Sequence, residues 1–217
     1  MKPYLFFKRI LDFIFSMILL IIASPIMIFA SIAIKIEDKK GPILFIQNRP
    51  GKNNKIFSVY KFRTMRVETE KNGVILSDME RMTKAGSFLR RTSIDELPQL
   101  FNILRGEMSF IGPRPLLVRY LPYYSIEEQK RHNVRPGISG WAQVNGRNLV
   151  NWNDRLKLDL DYVDNISALF DMKILFLTIY KVIKREDIIV VTENPMLDLD
   201  KERSGNNGNK TTRRTNV

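Results

Sequence analysis

The longest apolar stretch of the chain lies near its start, where no charged residue interrupts the run from Phe13 to Ile34. As a helix that run is about 33 Å long, enough to cross a bilayer core of roughly 30 Å. It exceeds a signal-peptide core and no small-residue cleavage site follows it, so a membrane-held helix is expected. Ser24-Pro25 sits at its middle. Pro25 has no N–H for the carbonyl of Ile21, and its ring crowds that turn, so a kink or break is expected. The freed carbonyl is costly in lipid, and the Ser24 hydroxyl is placed to bond Ile21 or Leu20. Lys2, Lys8 and Arg9 precede the run; Lys35, Lys39 and Lys40 follow it. Both flanks are basic, as cytoplasmic flanks are. Two arrangements fit: a helix that bends at Ser24-Pro25 and returns to the face it entered, and a proline-kinked single span.

Beyond this helix the periodicities shorten. Residues 42 to 66 read as a β-hairpin, with strands over Pro42–Arg49 and Ile56–Arg63 around a turn rich in Pro, Gly, Asn and Lys. Residues 66 to 92 are charged and predict loop with short helix. Ser93 to Leu104 has helical spacing, with Leu97, Leu100, Phe101 and Leu104 on one face and Gly106 as the stop. Glu127 to Asn133 predicts another helix before Pro136. Ile166 to Lys184 is a long apolar helix whose uncharged core, Ile174 to Tyr180, is too short to span. It fits a core helix and an amphipathic helix lying on anionic lipid equally well.

The pattern divides the chain into a membrane helix over 1–37, a catalytic domain over 38–193 and a polar, basic tail over 194–217, expected to be disordered. The fold class is α+β: mostly helices, with a short hairpin. Charge narrows the partners. The net charge of +12 draws anionic lipid headgroups, phosphorylated substrates or nucleic acid. The membrane helix and the absence of any base-reading motif exclude nucleic acid. No cysteine is present, which removes disulfides, thiolate metal sites and cysteine nucleophiles.

Chemistry concentrates in Ser93-Ile-Asp95-Glu96-Leu-Pro98. Ser93 with Glu96 matches a capping box, and Pro98 in a first turn makes Asp95 an alternative cap. In either case two carboxylates would sit at a helix N-terminus, where acidic residues are most often plain caps. Their company points further. Gly112-Pro-Arg114-Pro is a stiff loop that aims one guanidinium, suited to phosphate. Lys61 and Arg63 end the second hairpin strand. Arg135-Pro136-Gly137-Ile-Ser-Gly140-Trp141-Ala-Gln143-Val-Asn145-Gly-Arg147 offers glycines for close backbone approach and amides able to read a base or ribose. An acidic pair able to bind a divalent cation, several cations and a nucleotide loop are the components of phosphoryl transfer. His132, the single histidine, lies at a Lys/Arg-rich helix end and is not expected to act as a base.

Residues 1 to about 190 resemble the bacterial sugar transferase family, the small monotopic phosphoglycosyl transferases. The resemblance rests on Ser24-Pro25, Gln47-Asn-Arg-Pro-Gly51, Tyr60-Lys-Phe-Arg-Thr-Met65, Asp95-Glu-Leu-Pro-Gln-Leu100, Met108-Ser-Phe-Ile-Gly-Pro-Arg-Pro115 and the Arg135–Arg147 stretch. It implies a re-entrant helix in the bacterial inner membrane, broken at Ser24 and Pro25, with the catalytic domain on the cytoplasmic face. It implies Asp95 as a covalent nucleophile with Glu96 as partner, the pair holding Mg2+. Lys61, Arg63 and Arg114 would bind phosphates, and Pro136, Gly137, Gly140, Gln143, Asn145 and Arg147 the nucleotide. The expected reaction moves sugar-1-phosphate from a UDP-sugar to undecaprenyl phosphate with release of UMP. N,N′-diacetylbacillosamine, or another N-acetyl amino sugar, is the expected sugar. The same chemistry on another UDP-hexose for capsule, O-antigen or exopolysaccharide is the alternative, with a non-catalytic membrane scaffold behind it. Asp159 and Tyr162 match a weaker D-x-x-Y pattern of unassigned role, and a homodimer is compatible with the sequence.

Overall fold

The computed structural model describes residues 3–71, 73–146, 151–184 and 198–204. Helix α1, Pro3–Glu37, runs through Pro25 as one element, and the Ser24 hydroxyl donates to the Ile21 carbonyl at 2.8 Å, the bond expected from the proline's missing N–H. It is the one described helix long and apolar enough to cross a membrane. Its buried positions, Asp12, Ser16, Ala23, Ala30 and Ile34, recur at spacings of one or two turns, so one stripe faces protein while the remaining apolar side chains face outward.

The domain grips α1 at both ends. Arg9 donates to the carbonyls of Ile103 and Leu104 at 2.7 and 2.9 Å, the last turn of α4 (Gln99–Arg105), where a cation meets unsatisfied carbonyls. Lys8 pairs with Asp171, and the Ser109 hydroxyl and Phe110 N–H donate to Asp12. At the far end, the N–H groups of Lys84 and Ala85, opening α3 (Lys84–Arg91), donate to Glu37 at 2.7 Å each.

The predicted hairpin is present: β1 (Leu44–Pro50) pairs antiparallel with β2 (Ile56–Phe62) around a tight turn with Asn53 and Asn54 at positive φ. A second, two-residue ladder joins β3 (Glu70–Lys71) and β4 (Val74–Ile75), followed by a single-turn α2 (Asp78–Arg81). Strands β5 (Ser109–Ile111) and β6 (Gly137–Ser139) pair in parallel. Short α5 (Trp141–Val144) leads to α6 (Trp152–Asp164) and α7 (Ala168–Lys184). The fold is α+β, mostly helical, with three two-stranded ladders among the described residues. Glu128–Asn133 is a 3-10 helix where an α-helix was expected.

Two expectations are corrected. Helix α4 buries Leu100, Asn102 and Ile103, and leaves Phe101 outside. Asn102 displaces the expected apolar face because its amide donates to Ser58 O and its oxygen accepts from Tyr60 N, closing the free edge of β2. Within the supposedly disordered tail, residues 199–204 are helical and docked; Leu199 is fully buried among Tyr120, Tyr124, Trp152 and Leu156, and Arg203 forks onto Glu128. Residues 194–197 and 205–217 of that stretch lie outside the described residues. Helix α7 buries Asp171 and Ile174 but exposes Leu169, Phe176 and Ile183, which favours the surface-lying reading over the core one.

Candidate active site

Asp95 and Glu96 lie in a 3-10 turn, Ile94–Glu96, ahead of α4. The expected capping box does not form: Ser93 sits in the left-handed region (φ 56, ψ 16) with no side-chain cap, and Pro98 is the N-cap of α4. The Glu96 and Leu97 N–H groups donate within the turn to Ser93 O and Ile94 O. Side-chain cations do the work that helix amides were expected to do. Lys61 Nζ, from β2, and Arg114 Nη2, from the loop after β5, reach the same Glu96 oxygen at 2.7 and 2.9 Å.

This clamp divides the two carboxylates. Burial alone would raise Glu96, but the charges and hydrogen bonds of Arg114 and Lys61 prevail and hold it well below the usual carboxylate range. Asp95 has no hydrogen bond or ion pair among the described residues. Burial, and then the neighbouring Glu96 charge, push it up to about 6, against the pull of Lys61, Arg90 and Arg114. One carboxylate is permanently charged and tied down; the other is untied and titrates near neutrality.

Both open into a cleft of about 1040 Å3 lined by nine Lys or Arg side chains against these two acids. Its floor and walls come from β1, β2, the loop after β5, β6, α6 and the end of α7. Such a surface attracts polyanions. Among the described residues no cluster of three or more His, Asp or Glu side chains forms a metal cage. Mg2+ does not require one; one or two carboxylates with water and substrate phosphates suffice, and Asp95 with Glu96 fits that donor set.

The other expected residues separate into groups. Arg63 lines the cleft but is held by Asp38, ion-paired at 3.0 Å and donating to its carbonyl at 2.9 Å, so its charge is already engaged. Gly137 and Gly140 serve strand pairing: a Cβ on either would lie 2.2 Å from the Gly112 backbone. Pro136 belongs to that pairing too, its carbonyl accepting from Ser109 N. Gln143 lines the cleft, donates to Ile138 O at 2.7 Å and keeps a buried carbonyl oxygen without a partner. Asn145 is exposed and donates to Trp141 O, and Trp141 packs edge-on against Phe170 with Lys173 over its face. Arg147 lies outside the described residues. His132 is buried, and desolvation with the adjacent Arg131 charge pushes it down to about 3, so it stays neutral and acts as a core residue.

Asp159 and Tyr162 gain places. Asp159 pairs with Arg131, and Tyr162 donates to Asp171 and to Ile111 O. Five more arginines, Arg49, Arg66, Arg81, Arg90 and Arg155, line the cleft. Two of them are marked in the sequence by position: Arg49 inside Gln47–Gly51, and Arg155 one helical turn before Asp159.

A family model described as bacterial sugar transferase matches residues 3–185. The uncharacterized sugar transferase EpsL of Bacillus subtilis (strain 168) is 47% identical over 181 residues, covering 83% of this chain and 89% of its own. The UDP-glucose:undecaprenyl-phosphate glucose-1-phosphate transferase of Escherichia coli (strain K12) is 42% identical over 185 residues, 80% of this chain and 39% of its own. The UDP-N-acetylgalactosamine-undecaprenyl-phosphate N-acetylgalactosaminephosphotransferase of Aeromonas hydrophila is 42% identical over 189 residues, 81% and 43%. The chain thus spans most of the first relative and about two-fifths of the other two.

Proposed function

The chain belongs to the bacterial sugar transferase family, and from that premise we propose that it transfers a sugar-1-phosphate from a UDP-sugar to undecaprenyl phosphate through a phosphosugar adduct on Asp95. The observation that carries this reading is the asymmetry of the acidic pair. A nucleophile must be ionised and unencumbered, and Asp95 is both at pH 7, where a carboxyl titrating near 6 is about nine-tenths charged. Glu96, bonded to Lys61 and Arg114, holds those cations at the place where a pyrophosphate would enter.

In the first displacement an Asp95 oxygen bonds the β-phosphorus, the bridging P–O bond breaks, and UMP leaves with the electron pair. In the second, an acceptor phosphate oxygen attacks the same phosphorus and the aspartyl–phosphorus bond breaks, restoring the carboxylate. The sugar–oxygen bond is untouched, so anomeric configuration is retained. Lys61 and Arg114 offset the charge gathering on the phosphoryl oxygens, the term on which such reactions chiefly depend. Mg2+ held by Asp95 and Glu96 would supply further neutralisation of the pyrophosphate.

A lipid acceptor places the reaction at a membrane surface. The two-ended grip on α1 supports entry and exit on one face, because a helix bound at both ends by one domain has no end left for the far leaflet. Exposed apolar side chains of α1 and α7 would lie in lipid, on the cytoplasmic face of the inner membrane where UDP-sugars are made. For the sugar we carry N,N′-diacetylbacillosamine as the first candidate; the names of the relatives add glucose and N-acetylgalactosamine to the panel.

The test is UMP release from each UDP-sugar by purified protein with undecaprenyl phosphate, and mass-spectrometric mapping of the trapped adduct. Ping-pong kinetics and an adduct on Asp95 are expected. An adduct on Glu96 would reassign the nucleophile, UMP appearing only with both substrates present would indicate direct transfer, and no turnover with any sugar would favour a scaffold.

A further inference from the structure

Arg49, near the end of β1, and Arg155, in the first turn of α6, both line the cleft. Among the described residues neither forms an ion pair with an acid. Arg49 donates to the neutral Gln47 side chain, and Arg155 lies over the Trp152 ring, its carbon 5.1 Å from the centroid. Asp159, one turn beyond Arg155, is taken by Arg131 through two hydrogen bonds. Arg114 also lines the cleft and its charge acts on both, while its own partner is Glu96.

Three guanidinium groups face one space whose only acids among the described residues are Asp95 and Glu96. Like charges so placed repel, and in a partly buried site water screens them incompletely. Burial lowers both Arg49 and Arg155 to about 10; Arg114 adds to that in each case, while the Asp159 charge pulls Arg155 part of the way back. The cations that act most strongly on Asp95 and Glu96 are Lys61, Arg90 and Arg114. Arg49, Arg114 and Arg155 therefore form a cationic group in the cleft, which the Asp159 charge, already paired with Arg131, offsets in part at Arg155.

We propose that Arg49 and Arg155 form a second phosphate-binding subsite, joined through Arg114 to the reacting centre. This deepens the proposed function and rests on it. The reaction needs such a place, because in each half a second phosphate must be held beside the phosphorus under attack: first the α-phosphate that departs with UMP, then the phosphomonoester of the acceptor. Arginine forks suit both, binding phosphate oxygens in pairs. The ligand chemistry is a terminal or bridging phosphate, and the two half-reactions separate its sources.

The experiment compares wild type with Arg49→Gln, Arg155→Gln and Arg155→Lys in nanodiscs containing anionic lipid. One arm follows adduct formation and UMP release against UDP-sugar concentration; the other follows adduct discharge against polyprenyl phosphate. Half-saturation is expected to rise on the order of tenfold or more in one arm, the loss of one charge-assisted hydrogen bond, with partial recovery in the Lys variant. A change in the first arm assigns the subsite to the donor, and in the second to the acceptor. Melting temperature should hold in the Gln variants, since neither arginine is ion-paired to an acid among the described residues; a structural arginine would lower it. Calorimetric titration with inorganic pyrophosphate gives a readout without turnover, and weaker binding in the Gln variants is expected. Unchanged half-saturation in both arms, or unchanged pyrophosphate affinity, overturns the subsite. A wild type that binds pyrophosphate through these arginines yet releases no UMP would retire the reaction and leave the subsite standing.

Discussion

Asp159 and Arg131 form an ion pair 2.8 Å long with side chains only 3% and 2% exposed, and Arg131 also donates to the Arg114 carbonyl at 2.7 Å. The acid of the D-x-x-Y pattern thus acts through one arginine on the backbone that carries another. Tyr162, one turn later on α6, donates to Ile111 O on the other side of the same loop. Burial of the two charges is tolerated here because each neutralises the other, so removing one should be costly. Asp159→Ala is expected to destabilise by about 3–5 kcal/mol by leaving Arg131 charged in the interior. Urea or thermal unfolding measures it, and a loss under 1 kcal/mol would contradict the pairing.

The raised Asp95 pKa makes a two-sided prediction. Activity needs the ionised form, so kcat/KM should fall about tenfold per pH unit below about 6 and level off above 7. Stability runs the other way. The folded carboxyl binds its proton more tightly than the unfolded one, so folding is favoured below the unfolded value near 3.8 and that contribution is lost as pH rises through about 6. Asp95→Asn should therefore abolish adduct formation while raising stability at pH 7 by about 1–3 kcal/mol. A variant both inactive and less stable would contradict the assignment.

Glu96 has the opposite sign. Its depressed pKa favours the folded state above the unfolded value and that contribution is lost only in strong acid. Glu96→Gln leaves Lys61 and Arg114 half-buried without their acid, with an expected cost of about 2 kcal/mol and a steep loss of kcat. Denaturant titration beside single-turnover kinetics separates the two effects.

Ser93 precedes the acidic pair in a conformation that L residues seldom adopt. Ser93→Gly should hold or raise stability by up to about 1 kcal/mol with activity kept, whereas Ser93→Val should cost at least about 1 kcal/mol and displace the turn. Melting curves with UMP-release assays on the two variants test this.

Beyond the family match, the docked segment at 199–204 makes its own prediction. Leu199 is 0% exposed against Tyr120, Tyr124, Trp152 and Leu156. Leu199→Ala should cost about 2–4 kcal/mol. No change in unfolding midpoint would show that the segment does not pack there in solution.

Local signals carried through wherever the physics is local. The charge-free run, the hairpin with its Asn-rich turn, the glycine that stops α4 and the Ser24 bond to Ile21 all depend on residues a few positions apart, and all are present. The acidic pair and its cationic company were legible because unusual residue types stood together. Choices among equivalent partners were not. Lys61 lies in β2 and Arg63 one residue past its end, yet Lys61 bonds Glu96 while Arg63 meets Asp38, because different acidic neighbours are brought to each by distant parts of the chain. Asn102 outranked Phe101 for the interior because the edge of β2 needed a donor and an acceptor, a demand made by residues 40 or more positions away. The capping box failed for the same kind of reason: once Lys61 and Arg114 bind the Glu96 carboxylate, it cannot turn back to cap. Sequence alone determined which elements form and which chemistry they carry; tertiary structure decided which carboxylate is tied and which is left to react, because long-range charge, and not local helix geometry, sets that balance.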